Sequence, residues 1–170
     1  MRFGLCALCG VLTLVACAAT EQTVVGRGFN HQTKNEGKEV EPGHWTSTWA
    51  NAGVGVDNAG KSDEVPYVVS EEGTFDGKWT SPKEMTVCKG TSTRLCTYRD
   101  GSTTKQEYTM TCKPGPDGLL VFNGNGLFVD GTGRFAGIKG SCAFTAWNLN
   151  QPPNQLTYYS YTAKITLPKK

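Results

Sequence analysis

The stretch Leu156-Thr157-Tyr158-Tyr159-Ser160-Tyr161-Thr162-Ala163-Lys164-Ile165-Thr166-Leu167 sorts its side chains at a period of two. Tyr159, Tyr161, Ala163, Ile165 and Leu167 fall on one face, and Tyr158, Ser160, Thr162, Lys164 and Thr166 on the other. Successive side chains of a strand point to opposite faces, so the pattern predicts a β-strand with its apolar set turned inward. A helix would need apolar residues three and four apart. No segment repeats Ala, Leu, Glu and Lys at that spacing, and 21 glycines with 10% aromatic residues make a β composition.

Working back from this strand, further strand signals follow closely, each bounded by turn residues. Gly137–Trp147, Gly126–Asp130 and Leu119–Asn123 precede it, and the break Pro114-Gly115-Pro116-Asp117-Gly118 separates them from Thr104–Lys113. Asp100-Gly101 marks another turn. Arg94–Tyr98 is expected to pair with Glu84–Cys88 in a hairpin, preceded by Thr74–Thr80, with its Asp76-Gly77, and by Val65–Ser70. Asn51–Glu64 reads as a long loop, and Trp45, Ser47 and Trp49 open the first strand. About eight short strands without an intervening helix predict an all-β antiparallel fold: a closed barrel or, alternatively, a β-sandwich. Closure hides strand edges that would otherwise invite aggregation.

The segment Asp130-Gly131-Thr132-Gly133-Arg134-Phe135-Ala136-Gly137-Ile138-Lys139-Gly140 resembles the G-T-G-x-F-x-G-x-x-G element of the allene oxide cyclase and dirigent-like barrels. There too a strand, a loop and a tyrosine-rich final strand follow. The resemblance covers Leu119–Leu167 and implies the barrel alternative, with an interior able to steer a small reactive molecule as a cyclase or isomerase does. The catalytic carboxylates and asparagines of that family find no matching residues upstream. Physically, the glycines permit positive φ and sharp bends at a barrel rim. A nucleotide-binding reading fails, because the spacing misses G-x-G-x-x-G and the segment leads into a strand rather than a helix N-terminus.

The chain begins with Arg2, an apolar run from Phe3 to Val15, and Ala16-Cys17. Too short to span a bilayer, which takes about 20 apolar residues, this run reads as a signal peptide. Leu14-Val15-Ala16-Cys17 resembles a bacterial lipoprotein signal, with cleavage before Cys17 and acylation, palmitate included, of that cysteine. The alternative is plain secretion, since Ala16-Cys17-Ala18 also fits an A-x-A site. A lipid-anchored protein would sit in the cell envelope, and Ala18 resembles the default for the periplasmic face of a Gram-negative outer membrane. Residues 1–16 are then signal, 17–41 a flexible lipidated tether reaching about 25 Å, and 42–170 the β-barrel domain.

The remaining 150 or so residues suffice for one domain with a real core. The formal charge is +2, and Lys113, Lys139, Lys164, Lys169 and Lys170 are scattered, so no footprint for nucleic acid exists. Cys88, Cys96, Cys112 and Cys142 follow the anchor, and an even number in an exported chain predicts two disulfides. Cys88 and Cys96 flank Ser92 symmetrically, which in a hairpin would set them opposite each other and leave Cys112 for Cys142. Metal sites need CxxC pairs or nearby histidines. The later cysteines lack both, and Cys6-x-x-Cys9 leaves with the signal, so neither metal nor cofactor is expected.

Candidate functional residues are few. His31 lies in the expected tether and His44 at the domain entrance, where a surface or edge histidine is the simple reading. Glu71-Glu72 reads as a solvated turn. Glu107, within Thr104–Lys113, is a weak catalytic candidate should it face the interior, since burial would raise its pKa; facing outward, it is an ordinary surface residue. Trp79, Tyr159 and Tyr161 are candidates for ligand binding, against the alternative that aromatic side chains fill the barrel. Two functions follow: an envelope lipoprotein that binds a small apolar or aromatic molecule or a protein partner, and an enzyme of the cyclase or isomerase type.

Overall fold

The computed structural model describes residues 19–58, 60–81, 84–150 and 155–168, with side chains described for all of these except 79–81 and 84–87. The signal segment, Cys17 and the Trp79 side chain thus lie outside the described residues.

Eight strands follow in sequence: β1 (Thr20–Glu41), β2 (His44–Asp57), β3 (Val65–Ser81), β4 (Glu84–Tyr98), β5 (Thr103–Pro114), β6 (Leu120–Gly131), β7 (Lys139–Asn148) and β8 (Leu156–Leu167). Each pairs antiparallel with the next, and β1 pairs with β8 from Thr20↔Leu167 to His31↔Leu156, closing the sheet into a barrel. Closure excludes the sandwich. At one end lie residues 60–64, the 99–102 turn and the 132–138 segment. The 42–43 and 115–119 turns lie at the other, with the end of β7 and the start of β8. Phe135, from a short 3₁₀ turn (Gly133–Phe135), packs on Tyr98 at 4.6 Å and with buried Ile138 closes the first end. Positive φ at Gly133 (59°) and Gly137 (76°) makes that fold-over possible.

Several expected boundaries are corrected. Thr20–Glu41 is not a tether: it is β1, paired with β8 over Thr20–His31 and with β2 over Gly26–Glu41. Asn51–Asp57 continues β2 rather than starting a loop. Val65–Ser70 and Thr74–Thr80 are one strand, as are Glu84–Cys88 and Arg94–Tyr98, and likewise Leu119–Asn123 and Gly126–Asp130, apart from Leu119 itself.

The reason lies in what the strands turn inward. Tyrosine rings fill the interior, and glycine leaves room for them on facing strands. A Cβ at Gly26 would collide with the Tyr161 ring, one at Gly28 with the Tyr159 hydroxyl, and one at Gly55 with the hydroxyls of both Tyr159 and Tyr67. Ser92 and Arg94 face inward as well, so Lys89–Leu95 looks like a turn in composition while lying mid-strand.

The disulfide expectation changes with the hairpin. Cys88 and Cys96 sit on one face of the same strand, eight residues and about 27 Å apart at strand rise. Cys88 is instead bonded to Cys112 on β5, with Cα atoms 5.2 Å apart. Cys96 and Cys142 are buried free thiols.

Candidate functional site

Glu71 and Arg94 are direct cross-strand partners whose side chains point into the barrel. Arg94 donates from Nε (3.1 Å) and Nη2 (2.7 Å) to Glu71 Oε2. Ser92 Oγ donates to Oε1 at 2.7 Å, and Asn30 Nδ2 to Oε2 at 3.4 Å. Both charged side chains are only 6% exposed. A buried charge is tolerated when it is paired and hydrogen-bonded; the two charges pair with each other, and both Glu71 oxygens accept donors. The guanidinium lies 4.5 Å from the Tyr159 ring centroid and 5.1 Å from that of Tyr108, adding cation–π contact. Burial is the largest single influence and works against the Arg94 charge, but the Glu71 carboxylate together with the neighbouring Tyr108, Tyr159 and Cys96 raises the pKa well above the usual guanidinium range.

Around this pair runs a chain of neutral hydrogen bonds. Tyr67 and Tyr159 share a hydroxyl contact of 3.1 Å, and burial pushes Tyr159 up to about 12. Tyr108 donates to Gln106 Oε1 at 3.0 Å, and Gln106 Nε2 to Thr104 Oγ1 at 2.9 Å. Cys142 Sγ sits 3.5 Å from the Tyr108 hydroxyl. Burial raises the Cys142 thiol and pushes Cys96 up to about 12, so both stay thiols rather than reactive thiolates.

A second inward carboxyl, half-buried, lies at the closed end. Asp57 accepts 2.6 Å from the Tyr98 hydroxyl on Oδ2 and accepts from the Tyr161 hydroxyl on Oδ1. Burial raises its pKa, opposed by these two hydroxyls and by Arg134. Arg134 does not touch it: its guanidinium lies 4.8 Å from the Tyr98 ring centroid and pairs with Asp100 at 3.4 Å.

Toward the other end, which the described residues leave open, the interior holds a cavity of about 50 Å³. Trp49, Phe75, Phe122 and Phe144 form its aromatic wall, Glu71, Arg94 and Tyr159 its inner lining, and Asn30, Asn51, Asn148, Gln155 and Thr157 supply amides and a hydroxyl. Trp49 stacks on Phe75 at 5.5 Å, and Phe75 meets Phe122 at 5.5 Å. The free space exceeds that needed for one water, which is about 10–15 Å³. It is well below the 300–1,000 Å³ typical of a drug-sized ligand site.

The sequence candidates distribute unevenly over this arrangement. Tyr159 is 1% exposed and lines the cavity. Tyr161 faces the interior but is committed to Asp57 in the closed half. Glu107 is exposed on the outer face of β5, because the inward positions there are Thr104, Gln106, Tyr108, Met110 and Cys112; it is withdrawn as a catalytic candidate. Glu71, expected in a solvated turn, is the buried carboxylate instead. His44 bonds Glu41 through Nδ1 and Asp76 through Nε2, each at 3.0 Å. Those hydrogen bonds, Asp76 first, raise its pKa. It orders the β1–β2 turn against β3. His31 lies exposed on β1.

Asn30, Trp49, Glu71 and Arg94 escaped sequence reading as site residues. The one usable signal was the inward phase of Val65–Ser70: carried forward unbroken by two residues at a time from Tyr67 and Val69, it reaches Glu71.

No family model and no curated protein matches the chain. Among solved structures it is similar to a pterocarpan synthase dirigent protein, at 15% identity over 89% of this chain and 94% of that one, with a TM-score of 0.46. The barrel assignment rests on the strand pairing itself.

Proposed function

We propose that this chain is a cell-envelope lipoprotein, held to a membrane through Cys17, whose barrel binds a small apolar or aromatic group at its open end without transforming it. The observation that carries the binding reading is the aromatic-walled cavity above the Glu71–Arg94 pair. Such a mix of apolar walls and a few convergent polar groups is the usual make-up of ligand sites. Its modest volume suits the end of a molecule rather than a whole one.

Binding is favoured over catalysis because the buried carboxylate is already occupied. Four donors point at the two Glu71 oxygens, and a general base needs a free acceptor within hydrogen-bond reach of the substrate proton.

Anchoring gains a geometric consequence from the strand assignment. With β1 starting at Thr20, a lipid on Cys17 is separated from the barrel by at most about 10 Å of chain. The closed end, where β1 begins, would face the bilayer and the open end would face away.

Two measurements test the proposal. Cys17→Ser is expected to move the protein from the membrane to the soluble fraction, and unchanged membrane residence refutes lipid anchoring. Native mass spectrometry of the purified protein is expected to show a co-purifying small molecule, lost on Phe75→Ala. Retention of the same molecule by that variant would place binding elsewhere.

A further inference from the structure

Two polar atoms beside the open-end cavity have no hydrogen-bond partner among the described residues: Trp49 Nε1 and Asn30 Oδ1. Both residues line the cavity, and they are only 6% and 3% exposed. Buried polar groups are nearly always paired, and one left unpaired carries its desolvation cost uncompensated. The Asn30 amide orientation is not arbitrary. Its Nδ2 donates to Glu71 Oε2 at 3.4 Å, and the opposite flip would set a carbonyl oxygen against a carboxylate. The indole N–H can only donate, and the amide oxygen can only accept.

Charge narrows the choice. Among the described residues, Glu71 and Arg94 are the charged side chains lining the cavity, and they neutralise each other. An entering anion would meet Glu71, and an entering cation Arg94, with no free counter-charge. Resting on the reading of the open end as a ligand site, we infer that the group it accepts is neutral and carries both an acceptor and a donor. A carboxamide or lactam on an aromatic body is the chemical class that fits. The acceptor takes the Trp49 indole proton, the donor serves Asn30 Oδ1, and the ring lies against Phe75 and Phe122.

The test uses three probes that share a ring and differ in the polar head: benzamide, acetophenone and benzoate. Each is titrated into ¹⁵N-labelled protein while the Trp49 indole N–H signal, assigned by its loss in Trp49→Phe, is followed. Benzamide is expected to shift that signal and to bind about tenfold more tightly than acetophenone, which lacks the donor, or benzoate, which is charged. Trp49→Phe is expected to weaken benzamide about tenfold. Equal affinity of the three probes at the open end would overturn the donor–acceptor assignment while leaving the ligand site standing. If no probe moves any open-end signal, the site itself is refuted. The comparison among probes uses the unaltered protein, so it holds even if Trp49→Phe does not fold.

Discussion

The barrel turns two carboxylates inward, Glu71 buried and Asp57 half-buried, and treats them in opposite ways. In the open half, Glu71 faces a guanidinium that supplies two of its four donors, and the pair is held between tyrosine rings. In the closed half, Asp57 has two tyrosine hydroxyls and no cation in contact. The first arrangement makes a neutral, rigid lining under a cavity. The second leaves an acid whose charge is poorly supported, under a lid formed by Phe135. Hydroxyl donors to a carboxylate supply hydrogen bonds but no counter-charge, whereas the guanidinium supplies both. A charge-paired cavity lining and an aromatic plug are thus separated along one interior.

The most severe way to break this contrast is Arg94→Met, which strands Glu71 without its counter-charge. It should cost about 3–5 kcal/mol of stability, read by urea denaturation. Adding Glu71→Gln should restore a large part, since replacing both members of a buried pair is often nearly neutral. A double variant no better than the single one would mean that the pair is not the source of the loss. Next in size is Gly55→Ala, where the two halves meet at the Tyr67 and Tyr159 hydroxyls. Overpacking there should cost about 1–3 kcal/mol in the same assay.

The smallest effect concerns Asp57 and pH. Its folded pKa is raised above the ordinary 3.8, so the folded state holds the proton more tightly than the unfolded chain. Its contribution is fully present below 3.8 and is lost as pH rises through the folded value. Asp57→Asn should remove that decline from a plot of unfolding midpoint against pH. An unchanged slope would show that Asp57 is not responsible for it.

Strands with apolar inner faces could be read from the sequence, and those with small or polar inner faces could not. β8 shows its alternation openly, and Pro114–Gly118 and Asp100-Gly101 mark true turns. β1 presents Gly26, Gly28, Asn30 and Gln32 to the interior, so its pattern carries no hydrophobic signal. What fills the space beside it are Tyr159 and Tyr161, far away in the chain. The site was hidden for the same reason. Glu71 and Arg94 are tolerable inside only because each faces the other across β3 and β4, and that register cannot be seen while Lys89–Leu95 is taken for a turn. Similarly, Glu107 looked mid-strand and was, but the phase of β5 turns it outward.

The pairing of β1 with β8 also bears on how the chain folds. Thr20 meets Leu167, so the first strand waits for almost the last residue before it has its second neighbour. Closing a loop of that length is entropically costly, and folds dominated by such distant contacts form slowly. Until β8 emerges, the glycine-lined face of β1 lacks the tyrosines that fill it, and the sheet has two open edges. Sealing of the barrel is therefore expected to be the last step of folding, made when the final strand finds the first.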